Sequence, residues 1–329
     1  MVLPTLLFYS AASVVILTVV LVLLYYTHPT LLFEWYMRYQ LYSSGLCVRY
    51  VKNEERTYCY AERGTRTPDR SSILFIHGFT ASKDMWVPLV KLLPKNLHIV
   101  AVDLAGHGHT TQVPGEDISF LGQIKTLHQF VELIGLNSAP YHVIGQSMGG
   151  AMAGLYAAHY GHEVDKVTLI CPAMKTPVET EFIHELRSGH CRLIPKEPEE
   201  VQYMIDSTLY NKRRFPKQIL KAVIKTREPY NDFFHELYTT LATDEEGEQL
   251  IQHAEKITVP SQIIWGEHDE LVHVSGFDVL KKALPNCQKA DVIERCGHST
   301  NMDRPGMVVK LLLQFRGEYI KTNRKSKAQ

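Results

Sequence analysis

The chain carries no net charge, with 35 lysines and arginines against 35 aspartates and glutamates in 329 residues. No global field draws it to a polyanion, and no nucleic-acid partner is expected. Its six cysteines, Cys47, Cys59, Cys171, Cys191, Cys287 and Cys296, are scattered. They lack the CxxC spacing of a zinc site and the density of a disulfide scaffold, and read as reduced, mostly buried thiols. No Asn-x-Ser/Thr sequon occurs, which fits a cytosol-facing domain. A P-loop and a G-x-G-x-x-G after a strand are also missing, so catalysis without a cofactor is expected.

What is present begins with a long apolar run. Leu6 to Tyr26 holds 21 uncharged residues, enough at about 1.5 Å rise per residue to span a hydrocarbon core of roughly 30 Å. The basic n-region of a secretory leader is absent, so residues 1–27 read as an uncleaved transmembrane signal-anchor and 28–44 as a juxtamembrane segment. Tyr25, Tyr26, Trp35, Tyr36 and Tyr39 follow as an interfacial aromatic belt would. Arg38, Arg49 and Lys52 lie on the same side, which by the positive-inside rule puts the rest of a single-pass membrane protein in the cytosol. The tail 321–329 is basic and polar and reads as a solvated end.

From residue 45 to about 320 short apolar stretches alternate with helical patterns. Cys47 to Val51 and Thr57 to Ala61 suggest an antiparallel opening, and Ile73 to Ile76, Ile99 to Val102, Tyr141 to Ile144, Val167 to Ile170, Gln262 to Trp265 and Ala290 to Ile293 suggest buried strands. Helices are expected near Trp86 to Leu93, Ile118 to Ile134, from Met148 onward and around Met307 to Phe315. Such alternation predicts parallel βαβ units and an α/β, doubly wound sheet. Between about 174 and 254 it breaks into charged, proline-punctuated, helix-leaning sequence, read as a lid insertion.

Gly145-Gln146-Ser147-Met148-Gly149 matches G-x-S-x-G between an apolar strand and a small-residue helix. Glycine is demanded at Gly145 and Gly149 because the nucleophile of such an elbow sits in a strained turn where a neighbouring Cβ would clash. A serine needs a histidine to take its proton and a carboxylate to orient that histidine, in the order Ser, acid, His. Downstream, Trp265-Gly266-Glu267-His268-Asp269-Glu270 follows one strand and Cys296-Gly297-His298-Ser299 the next. Glu267, Asp269 and Glu270 are thus candidate acids and His298 the candidate base. An oxyanion needs two backbone N–H donors, expected from Met148 and from Phe79 in His77-Gly78-Phe79 after the third strand. His77 reads as a loop brace. His107 and His109 lack a third ligand at recognisable spacing, so no metal is expected. His98 to Asp103 and His298 to Asp303 share a His-x4-Asp spacing that reads as fortuitous.

Through HGF, DLAGHG, GQSMGG, WGEHDELV and CGHS, in that order, residues 45 to 320 resemble the α/β-hydrolase superfamily. The anchor, VRYV, HGFTASKDMW, LPKNLHIVAVD and PSQIIWGEHD narrow the resemblance to its membrane-anchored monoacylglycerol lipases. The resemblance implies an eight-stranded, mostly parallel sheet with a helical lid, an acid at Asp269, and hydrolysis of monoacylglycerols, including 2-arachidonoylglycerol. Lysophospholipids and bis(monoacylglycero)phosphate are further substrates it implies. Acyl transfer to an alcohol through the same acyl-enzyme and a non-catalytic membrane-tethered adaptor are the other readings; an epoxide hydrolase, which would carry aspartate at position 147, is disfavoured. Protein partners are not legible.

Overall fold

The computed structural model describes residues 2–318, with side chains from residue 12 onward; the basic tail 321–329 lies outside the described residues. Helix α1 (Val2–Thr27) is followed at once by α2 (Pro29–Ser44), a segment with no helix expected of it. Pro29 fits the first turn of α2, where its missing N–H costs nothing, and Gly45 ends it at φ 80° by accepting the left-handed conformation. Among the described residues no single helix is long and apolar enough to cross a membrane. Ala12–Thr27 and Pro29–Ser44 meet that measure together, bent by 109°.

Eight strands follow: β1 (Cys47–Lys52), β2 (Thr57–Arg63), β3 (Ile73–Ile76), β4 (Ile99–Val102), β5 (Tyr141–Gln146), β6 (Val164–Ile170), β7 (Ser261–Gly266) and β8 (Cys287–Ile293). They form one sheet in the order β1-β2-β4-β3-β5-β6-β7-β8, antiparallel through β1, β2 and β4 and parallel from β4 to β8. The central strands β3, β4 and β5 are buried along their whole length, because helices cover both faces of a parallel sheet. Strand β8 begins three residues earlier than its apolar stretch suggests, since at the sheet edge Cys287 and Lys289 pair their backbones, across a bulge at Gln288, while the Gln288 and Lys289 side chains face water.

Helices α3 (Val87–Val90), α4 (Phe120–Leu133) and α5 (Met148–His159) alternate with the first strands. After β6 the chain runs through α6 (Glu181–Arg187), α7 (Pro198–Thr208), α8 (Lys217–Arg227), α9 (Asn231–Leu241) and α10 (Asp244–Gln252) before re-entering the sheet at β7. Helices α11 (Gly276–Ala283), α12 (Thr300–Asp303) and α13 (Pro305–Phe315) complete the chain.

The loop after β4 hangs on a buried ion pair that the sequence did not advertise. The Lys83 ammonium donates to Asp103 Oδ2 at 2.9 Å, and the same carboxylate accepts the Lys83 and His109 N–H groups at 2.8 and 3.0 Å. Burial alone would push the Asp103 carboxyl up, but Lys83 and His77 beside it outweigh burial and hold it below the usual value. Fully satisfied, the pair fixes Gly106 to His109; losing one partner would leave a buried charge uncompensated.

Three histidines, His77, His107 and His142, are wholly buried, and burial pushes their pKa values down, to about 4 for His77 and about 3 for His107. Each is neutral in the folded chain and takes a proton once unfolded. Between about pH 4 and 6.5 the unfolded chain therefore binds more protons, and stability falls as pH falls through that window. Each should contribute on the order of 1 to 2 kcal/mol of destabilisation between about pH 7 and about pH 5. Thermal melts in detergent should show Tm dropping across this range, and less steeply in His107→Gln; a flat profile would contradict three buried neutral rings.

Candidate active site

Ser147 sits where β5 ends and α5 begins, at φ 58° and ψ −125°, a conformation few side chains adopt. Two close approaches impose it. A Cβ on Gly145 would overlap the carbonyl oxygen of Gly149, and one on Gly149 would overlap that of Ile76. The turn is closed by Ser147 N–H donating to Ile170 O at 2.9 Å, while Ser147 O accepts from Gly150, Ala151 and Ala173. The hydroxyl is thereby lifted above the sheet's carboxyl edge, and it has no hydrogen-bond partner among the described residues. Nor does a protein acceptor take the Met148 or Phe79 N–H among them, so both expected oxyanion donors are unspent.

Asp269 lies on the turn after β7, buried, with Oδ1 accepting the Leu271 and Val272 N–H groups at 2.9 Å each. Its Oδ2 stands 2.7 Å from His298 Nδ1. Those two N–H bonds fix the carboxylate rotamer, and the carboxylate fixes the ring with Nε2 as the free nitrogen. The rival acids stand apart: Glu270 is exposed, and Glu267 is exposed and accepts the Arg295 N–H at 3.0 Å. His298 is buried on the loop after β8, and the Gln146 side-chain amide donates to its carbonyl at 2.8 Å, tying the histidine loop to the residue beside Ser147. The sequence places Gln146 next to Ser147 but offers no signal of this bond, which spans 152 positions.

Asp303, whose spacing from His298 read as fortuitous, has a structural task. Its Oδ2 accepts the N–H groups of Gly297 and Tyr210 at 2.9 and 2.7 Å, and its Oδ1 that of Asn211 at 3.2 Å. Together with Ser299 N–H to Thr208 O at 2.9 Å, it straps the end of α7 to the loop that carries His298. His77 braces as expected, its Nε2 accepting the Leu104 N–H at 3.0 Å. The His107 ring packs at 5.0 Å on Phe234, which in turn meets Phe79 at 5.9 Å. Cys171, buried at the end of β6, places its sulfur within 4.8 Å of the Asp269 and His298 ligating atoms. Burial holds it as a thiol, with its pKa well above the usual value, and the other two are bonded to each other, so this donor set suits a proton relay better than a cation.

Above Ser147 lies a cavity of about 170 Å³ walled by Phe79, Met148, Phe182, Ile183, Leu186, Leu193, Tyr238 and Leu241. Lys175, Glu179, Arg187 and Asp244 rim it and pair with one another. Arg227, missed in the sequence, reaches from α8 to the Leu193 carbonyl at 2.7 Å and to the Thr80 hydroxyl, joining the insertion to the Phe79 loop.

A strained serine turn, a buried Asp–His couple on loops after two later strands and an eight-stranded sheet in this order are joined by a direct comparison: the profile of the alpha/beta hydrolase fold matches residues 72–305. The chain belongs to the α/β hydrolase fold family. It is 41% identical over 304 residues to monoacylglycerol lipase ABHD6 of Homo sapiens, covering 90% of this chain and 89% of that protein. It is 26% identical to lipase 1 of Psychrobacter immobilis, over 73% of this chain and 74% of that one. Among solved structures it resembles a bacterial membrane phospholipase A, with a TM-score of 0.80 and 25% identity, covering 93% of this chain and 97% of that one. The resemblance drawn from HGF, GQSMGG and WGEHDELV is borne out, and as an α/β hydrolase with lipase relatives the chain is an ester hydrolase of lipids.

Because the elbow strain is imposed from outside residue 147, removing its side chain should relieve it. Ser147→Gly is expected to be more stable than Ser147→Ala by about 1 kcal/mol or more, the cost of a side chain at positive φ. Paired thermal melts check this; equal Tm values would mean the turn is not strained.

Proposed function

We propose that this chain is a membrane-tethered serine lipase that cleaves monoacylglycerols, including 2-arachidonoylglycerol, through an acyl-enzyme on Ser147. The observation that carries the reading is the 2.7 Å Asp269–His298 bond beside a strained, unpartnered serine at the floor of an apolar cavity. His298 Nε2 takes the Ser147 proton as Oγ attacks the ester carbonyl, and the Asp269 carboxylate stabilises the imidazolium that results. The Met148 and Phe79 N–H groups stabilise the oxyanion, and Gly145 and Gly149 keep the elbow tight enough to aim them. His298 then protonates the departing glycerol oxygen. A water deprotonated by His298 attacks the acyl-enzyme and releases the fatty acid. These groups supply every step without a cofactor or metal.

The apolar wall from Phe182 to Leu241 takes the acyl chain, and the insertion over 174–254 serves as the lid. Membrane tethering is supported by α1: Val14 to Leu17 and Val19 to Leu23 are exposed all round the helix, as a lipid-facing segment would be. Residues 1–27 are the anchor and 45–320 the catalytic domain on the cytosolic side, a placement supported by Arg38, Arg49 and Lys52 after the anchor and by six unpaired cysteines.

The test is fatty acid and glycerol release from a long-chain monoacylglycerol, together with labelling by a fluorophosphonate. Ser147→Ala should lose both, and Asp269→Asn should lower release by about 10⁴-fold by leaving His298 in the wrong tautomer. Labelling without release would redirect the search to other esters or to acyl transfer; a folded wild type that neither labels nor releases would point to an adaptor.

A further inference from the structure

The stretch from Ser207 to Arg227 contains seven basic residues and no acidic one, and three of the seven, Lys217, Lys221 and Lys225, line one groove. Its helix α8 packs against α2, and a groove of about 980 Å³ opens between α8 and the α1–α2 elbow. Lys217, Lys221 and Lys225, four residues apart and hence on one helical face, line it opposite Tyr26 and His28, with Lys196 at one end. Four lysines and three glutamates border the groove, and Glu199 pairs with one of the lysines, so its positive charge is local to the unpaired ammonium groups. Lys217 meets Glu199 at 3.3 Å and Lys225 meets Glu228 at 2.7 Å, in pairs more than half exposed on both sides and so weak. Glu34 and Glu197 also border the groove. Lys196 and Lys221 have no acidic partner among the described residues.

We propose that this groove binds the headgroup phosphate of anionic phospholipids in the leaflet around the anchor. The inference rests on reading α1 as that anchor. A helix that crosses the bilayer ends at the headgroup layer, so a lysine-lined groove at Tyr26 to Thr30 lies where lipid phosphates are concentrated. The 109° bend then lays α2 close to the membrane plane. Its exposed Trp35, Tyr39 and Tyr42, at helical spacing, form the aromatic stripe that such an interfacial helix needs. Position and the aromatic stripe favour a lipid surface over an acidic protein, and the unpaired Lys196 and Lys221 are the cations that meet the phosphate. Through α8 the bound headgroups hold the insertion, and with it the cavity over Ser147, against the leaflet that contains the substrate.

The full chain is reconstituted in phosphatidylcholine vesicles, and the motionally restricted fractions of spin-labelled phosphatidylserine and phosphatidylcholine are compared by electron paramagnetic resonance. The wild type should select phosphatidylserine, and Lys217→Glu/Lys221→Glu should lose at least about fivefold of that selectivity per lysine removed. Hydrolysis of a water-soluble ester should be unchanged in the variant, which shows it folded. Equal restriction of both lipids by a wild type that resists alkaline carbonate extraction would overturn the headgroup site and leave the anchor standing. A wild type extracted by carbonate would overturn the anchor and this proposal with it. Loss of selectivity on adding soluble inorganic phosphate would overturn the lipid assignment in favour of a free-anion site. Retention of an acidic peptide with no lipid preference would do so in favour of a protein partner.

Discussion

Everything around Ser147 depends on how closely α5 can approach the ends of β3 and β5. With no Cβ at Gly145 or Gly149, the first turn of the helix presses onto the Ile76 carbonyl and onto β5 itself. That contact holds Ser147 at positive φ and sets it against Gly78, so that Phe79, Ser147 and Met148 line one cavity. The parallel part of the sheet then does the rest: strands β3 to β8 all end at this edge, so the loops after β7 and β8 deliver Asp269 and His298 from sequence positions more than a hundred residues away.

Much of this was legible because it is periodic or local. The strand–turn–helix context of Gly145 to Gly149 and the order of the loops bearing Asp269 and His298 could be read directly, since apolar strands and glycine turns leave marks within a few residues. What escaped were bonds made once, between distant residues with no repeating pattern. The Gln146 amide on the His298 carbonyl, Lys83 under Asp103, Arg227 behind Thr80 and the Asp303 strap all belong to this class. Asp303 shows how little spacing alone says: its interval from His298 reads as fortuitous, and its oxygens are occupied by backbone N–H groups of two loops. Helix α2 escaped for another reason. Its aromatic and charged residues were read as a membrane border, and a helix running across that border, bent by 109° from the one before it, has no signature in composition.

The insertion is bound to the hydrolase body at both working loops. Arg227 joins it to the segment carrying Phe79, and Thr208, Tyr210 and Asn211 join it to the segment carrying His298. It is also in contact with α2 through α8. The insertion therefore shares hydrogen bonds with the loops that carry Phe79 and His298, so its position and theirs are fixed together.

The strained turn has a consequence for descent. Its backbone is dictated by neighbours, so the side chain at position 147 is free of any folding duty. Evolution can exchange it, for a thiol or a carboxylate, and inherit the sheet, the oxyanion donors and the histidine loop unaltered. A scaffold that separates what it does from how it folds in this way can change its reaction in one codon, which gives one physical reason why a single architecture carries so many chemistries.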